Sequence, residues 1–156
     1  MDEPETLREI LLALNDIAHE VTVIFPVHPR TRRRMEDGGG KVEGGNLIIL
    51  EPLGYLDFLA LMKNAALVIT DSGGIQEETT YLGVPCLTAR PNTERPVTIT
   101  RGTNQLVASS RLAIVQAARN VLNHQPEHSN LDRPDLWDGR AAERIIEVLR
   151  SWEGAR

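Results

Sequence analysis

The sequence has few of the residues on which disulfide-linked, zinc-binding or aromatic-rich folds depend. It contains a single cysteine, Cys86, among 156 residues. One cysteine excludes an internal disulfide and a cysteine-rich zinc site, and it favours a reducing, cytoplasmic compartment. Aromatic residues make up only 4% of the chain, so a core has to be built from leucine, isoleucine, valine and alanine.

Long apolar runs and an excess of positive charge are also missing. No apolar stretch approaches the roughly 20 residues that a membrane-spanning helix needs. The acidic, amphipathic start "MDEPETLREI" is unlike a signal peptide. A net charge of −5 argues against general nucleic-acid binding. We therefore expect neither a membrane nor a nucleic acid as a partner.

The residues that are present predict one globular α/β domain over 1–156. Hydrophobic residues make up 41% and charged residues 25%, as in globular proteins. Apolar runs predict strands at 21–27, 47–50, 67–71, 85–89 and 105–108. Helical periodicity predicts helices at 3–20, 55–65, 75–82, 111–124 and 139–152, with a short basic helix inside the glycine-rich segment 28–46 and a polar loop at 125–138. Strands that alternate with helices predict a three-layer parallel sheet with helices on both faces.

Two further details follow from the same patterns. The continuous apolar runs at 21–27 and 47–50 predict strands that are covered on both faces. In the helix at 55–65, helical spacing places Tyr55, Phe58, Leu59 and Met62 on one apolar side.

Ligands of parallel sheets bind beyond the carboxyl ends of the strands. Three such ends are followed by conspicuous polar residues: His28 and Arg30; Asp71, Ser72, Gly73 and Gly74; Arg90, Thr93, Glu94 and Arg95. These loops are the candidate site.

The segment "TDSGGIQEETTYLGVPCL" permits two interpretations of Ser72. A serine-protease nucleophile needs a base, an acid and a β-rich fold, whereas this segment is typical of strand, turn and helix. The other nucleophile motif, G-x-S-x-G, needs glycine where Thr70 stands. We therefore expect Ser72 to hold a ligand and not to attack one.

The holding role depends on the start of the helix. Gly73 and Gly74 leave unpaired backbone N–H groups uncovered, and the helix dipole adds positive charge there, so a phosphate would be stabilised. Alternatively, Ser72 only caps the helix and the glycines serve the turn. The local sequence does not decide between these interpretations.

Three charged residues extend the hypothesis. Glu77 and Glu78 are placed in the first helical turn, where carboxylates favour the dipole without any ligand. Alternatively, one of them accepts hydrogen bonds from the two hydroxyls of a ribose. Arg95, in "NTERPV", is either a solvated loop charge or the cation that faces the phosphates.

Taken together, these motifs resemble a known family. The segment "EPLGYLDFLALMKNAALVITDSGGIQEETTYLGVPCLTARPNTERP", with "FPVHPR" before it and "DGRAAERI" after it, is similar to non-hydrolysing UDP-N-acetylglucosamine 2-epimerases. The resemblance covers most of residues 21–149. It implies a Rossmann-like domain, namely the C-terminal half of a glycosyltransferase-B-like fold, with the active site between two halves.

The resemblance also implies roles for individual residues. Ser72, Gly73 and Gly74 would hold the diphosphate of UDP, and Arg95 would add positive charge. Glu78 would bind the ribose, whereas Leu50, Pro52 and Phe58 would contact uracil, although Phe58 also suits a core position. His28 would line the cleft as a candidate catalytic residue, and Arg32, Arg33 and Arg34 have no implied role and suit a solvated face. No metal or other cofactor is implied.

The family reaction inverts C2 of the sugar in UDP-GlcNAc by elimination and re-addition of UDP. The resemblance implies that the acid–base carboxylates belong to an N-terminal half that these 156 residues lack, so we expect the chain alone to be inactive. The alternatives are a stand-alone module that binds UDP or a UDP-sugar, and half of a related glycosyltransferase. The expected partners are UDP or UDP-GlcNAc, a separate N-terminal half and, through exposed apolar surface, a second copy of the chain.

The chain departs from the family pattern near its end. Leu136 and Trp137 stand where the family typically has Asn-Pro-Tyr-Gly, although Asp138 and Gly139 are kept. Val97 follows "TERP", where the family usually has a carboxylate.

Overall fold

The computed structural model describes residues 4–37, 45–124 and 134–153, which form an α/β domain. The helices are α1 (Pro4–Ala18), α2 (Pro29–Asp37), α3 (Tyr55–Lys63), α4 (Gly73–Leu82), α5 (Val97–Thr100), α6 (Arg111–Asn123) and α7 (Ala141–Glu153). The strands are β1 (Val23–Pro26), β2 (Leu47–Leu50), β3 (Val68–Thr70), β4 (Cys86–Ala89) and β5 (Asn104–Val107). Each predicted strand and helix is present, and the short helix α5 was not predicted. Residues 38–44 and 125–133 of the two predicted loops lie outside the described residues.

The strands are parallel, as predicted. β1 pairs with β2, so that Ile24 lies opposite Ile48, and β4 lies between β3 and β5. Among the described residues the strands form two hydrogen-bonded groups, β1–β2 and β3–β4–β5, instead of one continuous ladder.

The central strand β4 shows how the layers are built, because all four of its residues are buried. Leu87 and Ala89 point into the apolar core that α1 and α6 form. The alternate residue Thr88 bonds Asn104 on the other face, where α4 also contacts the strand. Side chains of a strand alternate between faces, so helices cover both faces of β4 and the three-layer prediction is confirmed there.

One prediction of burial is wrong. Ile24 and Ile48 are 40% and 45% exposed, so the β1–β2 pair is covered on one face only, where Val23, Phe25 and Leu47 pack against the core. A continuous apolar run indicates that a strand is apolar on both faces, but it does not indicate that a helix covers each face.

In α3, Met62 is buried, but Tyr55 is 63% exposed. Helical spacing places Tyr55 on the same side of α3 as Met62, as predicted. Tyr55 lies in the first turn of the helix, however, where the described residues do not cover its side chain.

The end of α4 follows the sequence closely. Gly83 adopts a left-handed conformation with φ of 75°, which glycine adopts without strain. Val84 then donates its N–H back to the carbonyl of Thr79. The chain turns sharply into β4 and leaves the start of α4 near the carboxyl end of the sheet.

Candidate functional site

The candidate site lies at the start of α4, directly after β3. Ser72 is the N-cap residue with φ of −83° and ψ of 135°, but its side chain makes no capping hydrogen bond. In the same chain, the Ser110 hydroxyl does cap α6 by accepting from the N–H of Ala113. The interpretation of Ser72 as a simple cap is therefore wrong, and its exposed hydroxyl remains available.

Among the described residues nothing gives a structural reason for the glycines after Ser72. Neither Gly73 nor Gly74 has a positive φ, so the turn does not require glycine at these positions. A Cβ atom at Gly74 would meet no atom within 4 Å, and one at Gly73 would lie 3.6 Å from the Arg95 guanidinium carbon. Missing side chains here leave room for a ligand to approach the backbone N–H groups.

Arg95 brings positive charge to the same place. It comes from the loop after β4, yet its guanidinium lies beside Gly73 and its Nε lies 2.8 Å from Oε2 of Glu77. The Nε atom is buried and makes no hydrogen bond, so the two groups form an ion pair whose N–H is not aimed at the carboxylate. The pair holds the guanidinium near the helix start while its other N–H groups remain available. We call Ser72, Gly73, Gly74 and Arg95 the anion grip.

Glu77 and Glu78, which were predicted to have similar surroundings, differ in the structure. α4 begins at Gly73 and has no acidic residue in its first turn. Placing Glu77 and Glu78 in that turn was therefore wrong, because the glycines belong to the helix, and the dipole effect fades beyond the first turn. Glu77 is engaged by Arg95, whereas half-buried Glu78 has no hydrogen bond or ion pair with the described residues. Of the two carboxylates, Glu78 is the one with its oxygens available.

A second group of predicted site residues meets where β1 and β2 end. The carbonyl of Leu50 accepts from the N–H of Val27 at 3.0 Å and from Nη2 of Arg32 at 3.3 Å. Nη2 of Arg32 also lies 2.9 Å from Glu51, so Arg32 fixes this corner and is not the solvated charge we predicted. His28 is exposed beside it, and its Nδ1 accepts from the N–H of Arg30 at 3.3 Å.

The segment between β2 and α3 carries the other predicted contacts. Pro52 is exposed and Phe58 is half-buried, and the N–H of Phe58 bonds the carbonyl of Gly54 at 2.9 Å. Phe58 therefore faces partly outward, and both of its predicted roles, core residue and uracil contact, stay predictions.

Sequence reasoning missed a set of buried polar residues behind the anion grip. Gln76, Thr79, Thr88 and Thr98 are fully buried, and Asn104 is 5% exposed. In α4, the spacing of Gln76, Thr79 and Thr80 places them on one helical face, which a hydrophobicity pattern assigns to solvent. A polar stripe facing a sheet gives no local signal of burial.

Three observations concern the described residues outside the anion grip: the cysteine, the potential metal ligands and the length of the helices. Burial raises the pKa of the free Cys86 thiol. No group of three histidine, cysteine or acidic side chains is placed to hold a metal ion within residues 4–37, 45–124 and 134–153. In the same ranges, no helix combines the length and the apolar character that crossing a bilayer requires.

Comparison with known proteins shows which family the chain is similar to. A family model described as UDP-N-acetylglucosamine 2-epimerase matches residues 1–150. The chain is 39% identical over 154 residues to the UDP-N-acetylglucosamine 2-epimerase of Methanocaldococcus jannaschii, covering 96% of this chain and 41% of that protein. It is 40% identical over 150 residues to the UDP-2,3-diacetamido-2,3-dideoxy-D-glucuronate 2-epimerase of Pseudomonas aeruginosa, covering 95% and 40%.

A solved structure has a similar fold over the same part of its chain. The M. jannaschii enzyme in complex with UDP-GlcNAc and UDP superposes with a TM-score of 0.82 at 37% identity, covering 96% of this chain and 42% of that one. The chain thus spans about two fifths of the length of the relatives it matches.

Proposed function

The chain belongs to the UDP-N-acetylglucosamine 2-epimerase family, and from this premise we propose that it is the UDP-binding, C-terminal part of a UDP-GlcNAc 2-epimerase. The observation that carries the proposal is the anion grip. It combines an unused serine hydroxyl at a helix start, two glycines that the fold itself does not need, and a guanidinium beside them. These are the groups that a diphosphate requires.

The grip would act on the leaving group of the reaction. Elimination of UDP from UDP-GlcNAc breaks the bond between C1 and the diphosphate oxygen, so negative charge grows on the diphosphate. Backbone N–H groups of Gly73 and Gly74, the Ser72 hydroxyl and the Arg95 guanidinium would stabilise that charge where it develops. Such groups are effective because they are fixed before the charge forms.

Other residues would bind the rest of the nucleotide. The available carboxylate of Glu78 would accept from the ribose hydroxyls. Pro52 and Phe58, with the Leu50 corner behind them, would contact uracil. His28, exposed beyond β1, would face the sugar, where a positioned imidazole can move a proton.

The remaining acid–base groups would come from an N-terminal half. Support for such a partner comes from α7, where Ile145, Val148, Leu149 and Trp152 are between 59% and 72% exposed. They recur at spacings of three and four residues and so form one apolar stripe. We propose that the N-terminal half covers this stripe, and that a second copy covers it when that half is missing. The cytoplasmic location stays a prediction.

The second candidate is a stand-alone module that binds UDP or a UDP-sugar. It is favoured by one observation, namely that this chain supplies the whole anion grip by itself. The two functions differ in proton transfer at C2. UDP-GlcNAc incubated with the isolated chain in heavy water should gain no deuterium at C2, because the proposal assigns the carboxylate that removes the C2 proton to the N-terminal half. If the isolated chain does exchange that proton, a base within it has been overlooked and the two-half proposal is wrong.

Calorimetry with UDP tests the binding itself. Arg95→Ala should weaken binding by about 1–3 kcal/mol, the cost of losing a charged hydrogen-bond partner. Arg101→Ala is the matched control, because it removes the same charge from a residue whose side chain is 56% exposed and pairs with Asp135. The control should bind UDP as the unchanged chain does. No heat at millimolar UDP, or equal losses in both variants, would contradict the proposal.

A further inference from the structure

A buried polar network lies directly behind the anion grip. It consists of Gln76, Thr93, Thr98 and Asn104, with Thr88 bonded to its far end. Gln76 and Thr98 are fully buried, and Asn104 is 5% exposed. Burying a side-chain amide costs free energy unless its donors and acceptors are hydrogen-bonded. The hydrogen bonds of this network therefore show which residues it holds in place.

Gln76 connects the helix start to the Arg95 loop. Its Nε2 donates to the carbonyl oxygen of Ser72 at 3.2 Å. Its Oε1 accepts from Oγ1 of Thr93 at 2.6 Å and from Nδ2 of Asn104 at 3.1 Å. One side-chain amide therefore ties the carbonyl of Ser72 to the loop of Thr93, which lies 17 residues after Gln76 in the chain.

Both backbone groups of Arg95 are bound by this network. Its N–H donates to the Thr93 hydroxyl at 3.0 Å, and its carbonyl accepts from the Thr98 hydroxyl at 2.8 Å. Thr98 in turn accepts from Nδ2 of Asn104 at 3.3 Å. The Gln76 amide thus orients Thr93, and the Asn104 amide orients Thr98. These two threonines bind the N–H and the carbonyl of Arg95.

We propose that Gln76 and Asn104 are positioning residues that fix the Arg95 guanidinium beside Gly73 for a diphosphate. The inference rests on the proposed function, because it names what supports the same grip. An arginine on a loop has many accessible conformers, and restricting it to one of them on binding costs conformational entropy. A loop that holds the arginine in that conformer before the ligand arrives removes this cost from the free energy of binding. The network does this by anchoring the backbone and leaving the guanidinium to the ligand.

The chemistry of the network requires an amide at residue 76. A carboxylate in its place could only accept, so it would face the Ser72 carbonyl without a proton and would bring buried negative charge behind the grip. An apolar side chain would leave the Thr93 hydroxyl and one N–H of the Asn104 amide without an acceptor. Glutamine is the side chain of this length that both donates and accepts.

Variants of Thr93 and Gln76 test the proposal through UDP affinity. Thr93→Val keeps the shape and removes the hydroxyl, whereas Thr93→Ser keeps the hydroxyl. We expect Thr93→Val and Gln76→Met to bind UDP about tenfold more weakly, as for a lost hydrogen bond, and Thr93→Ser to restore binding. In an Arg95→Ala background Thr93→Val should cause no further loss, because Thr93 acts through Arg95. Equal losses in both backgrounds, or no rescue by serine, would overturn the inference.

Hydrogen exchange gives a second measurement that does not need the nucleotide. In Gln76→Met the Arg95 amide should exchange about tenfold faster, since its anchor is loosened, while the amides of Leu87 and Ile114 in the core stay protected. Unchanged exchange at Arg95 would overturn the inference whatever the UDP result. If the unchanged chain does not bind UDP, the proposed function fails, and the exchange rates alone decide the positioning role.

Discussion

Replacing Gly74 by alanine adds a single methyl group, and its effects on stability and on ligand binding can be measured separately. The new Cβ would enter a space with no atom within 4 Å, and the backbone at Gly74 has no positive φ. Nothing in the part of the chain that the structure describes therefore opposes the methyl group. A diphosphate that contacts the Gly74 N–H would meet it directly.

The two effects have opposite signs and can be estimated. Alanine is favoured over glycine in helices by about 0.5–1 kcal/mol, and we take the lower value because Gly74 is the second residue of α4. For a chain of this size, that raises the melting temperature by about 1–2 °C. Overpacking a closely fitted contact costs about 1–3 kcal/mol, so the UDP dissociation constant should rise roughly fivefold to 140-fold.

Thermal unfolding and UDP calorimetry on the same preparation measure both effects. Gly102→Ala is the matched control, because a Cβ there would lie 2.4 Å from the Thr98 carbonyl oxygen and 2.5 Å from Oγ1 of Thr80. That variant should be destabilised, which shows that the assay registers a steric clash. A Gly74→Ala chain that is at least as stable as the original, yet binds UDP equally well, would refute the argument that Gly74 is kept open for a ligand.

Three further predictions address stability and association. The Arg111 guanidinium, hydrogen-bonded to Asp16, holds the pKa of that carboxyl below its ordinary value of 3.8. The pair therefore stabilises the fold above about pH 4 and loses this effect as the pH falls through the lowered pKa. Asp16→Asn should lower the melting temperature at pH 7, and a gap that stays constant down to pH 2 would contradict the assignment. Leu136 has φ of 69° and is 71% exposed, so Leu136→Asn should add about 0.5–1 kcal/mol to the free energy of unfolding, measured in urea; a loss would show that the leucine packs usefully. Leu149→Ser with Trp152→Ser should leave the melting temperature nearly unchanged but shift light scattering towards monomer, and an unchanged mass would mean that the α7 stripe does not mediate self-association.

Much of the fold could be predicted because its signals are local. Helical periodicity and apolar runs gave the strands and helices, and Gly83 marked the end of α4 as a left-handed cap. The "DSGG" turn could be placed at the carboxyl end of a strand for the same reason. Most boundaries moved by one to two residues, and the shift that matters for the site is at α4, where Gly73 and Gly74 belong to the helix by hydrogen bonding and not by pattern. That shift removed Glu77 and Glu78 from the first turn.

The local pattern of residues specified which segments are strands and helices and which loops follow the strand ends, because backbone hydrogen bonding and side-chain periodicity act over a few residues. The packing of distant segments was needed to show that Ile24 and Ile48 are exposed, that the Ser72 hydroxyl is not used as a cap, and that Arg95 reaches Gly73. The bond between Gln76 and Asn104 spans 28 residues. A partner that distant is chosen by the packing of the chain and leaves no mark in the local pattern.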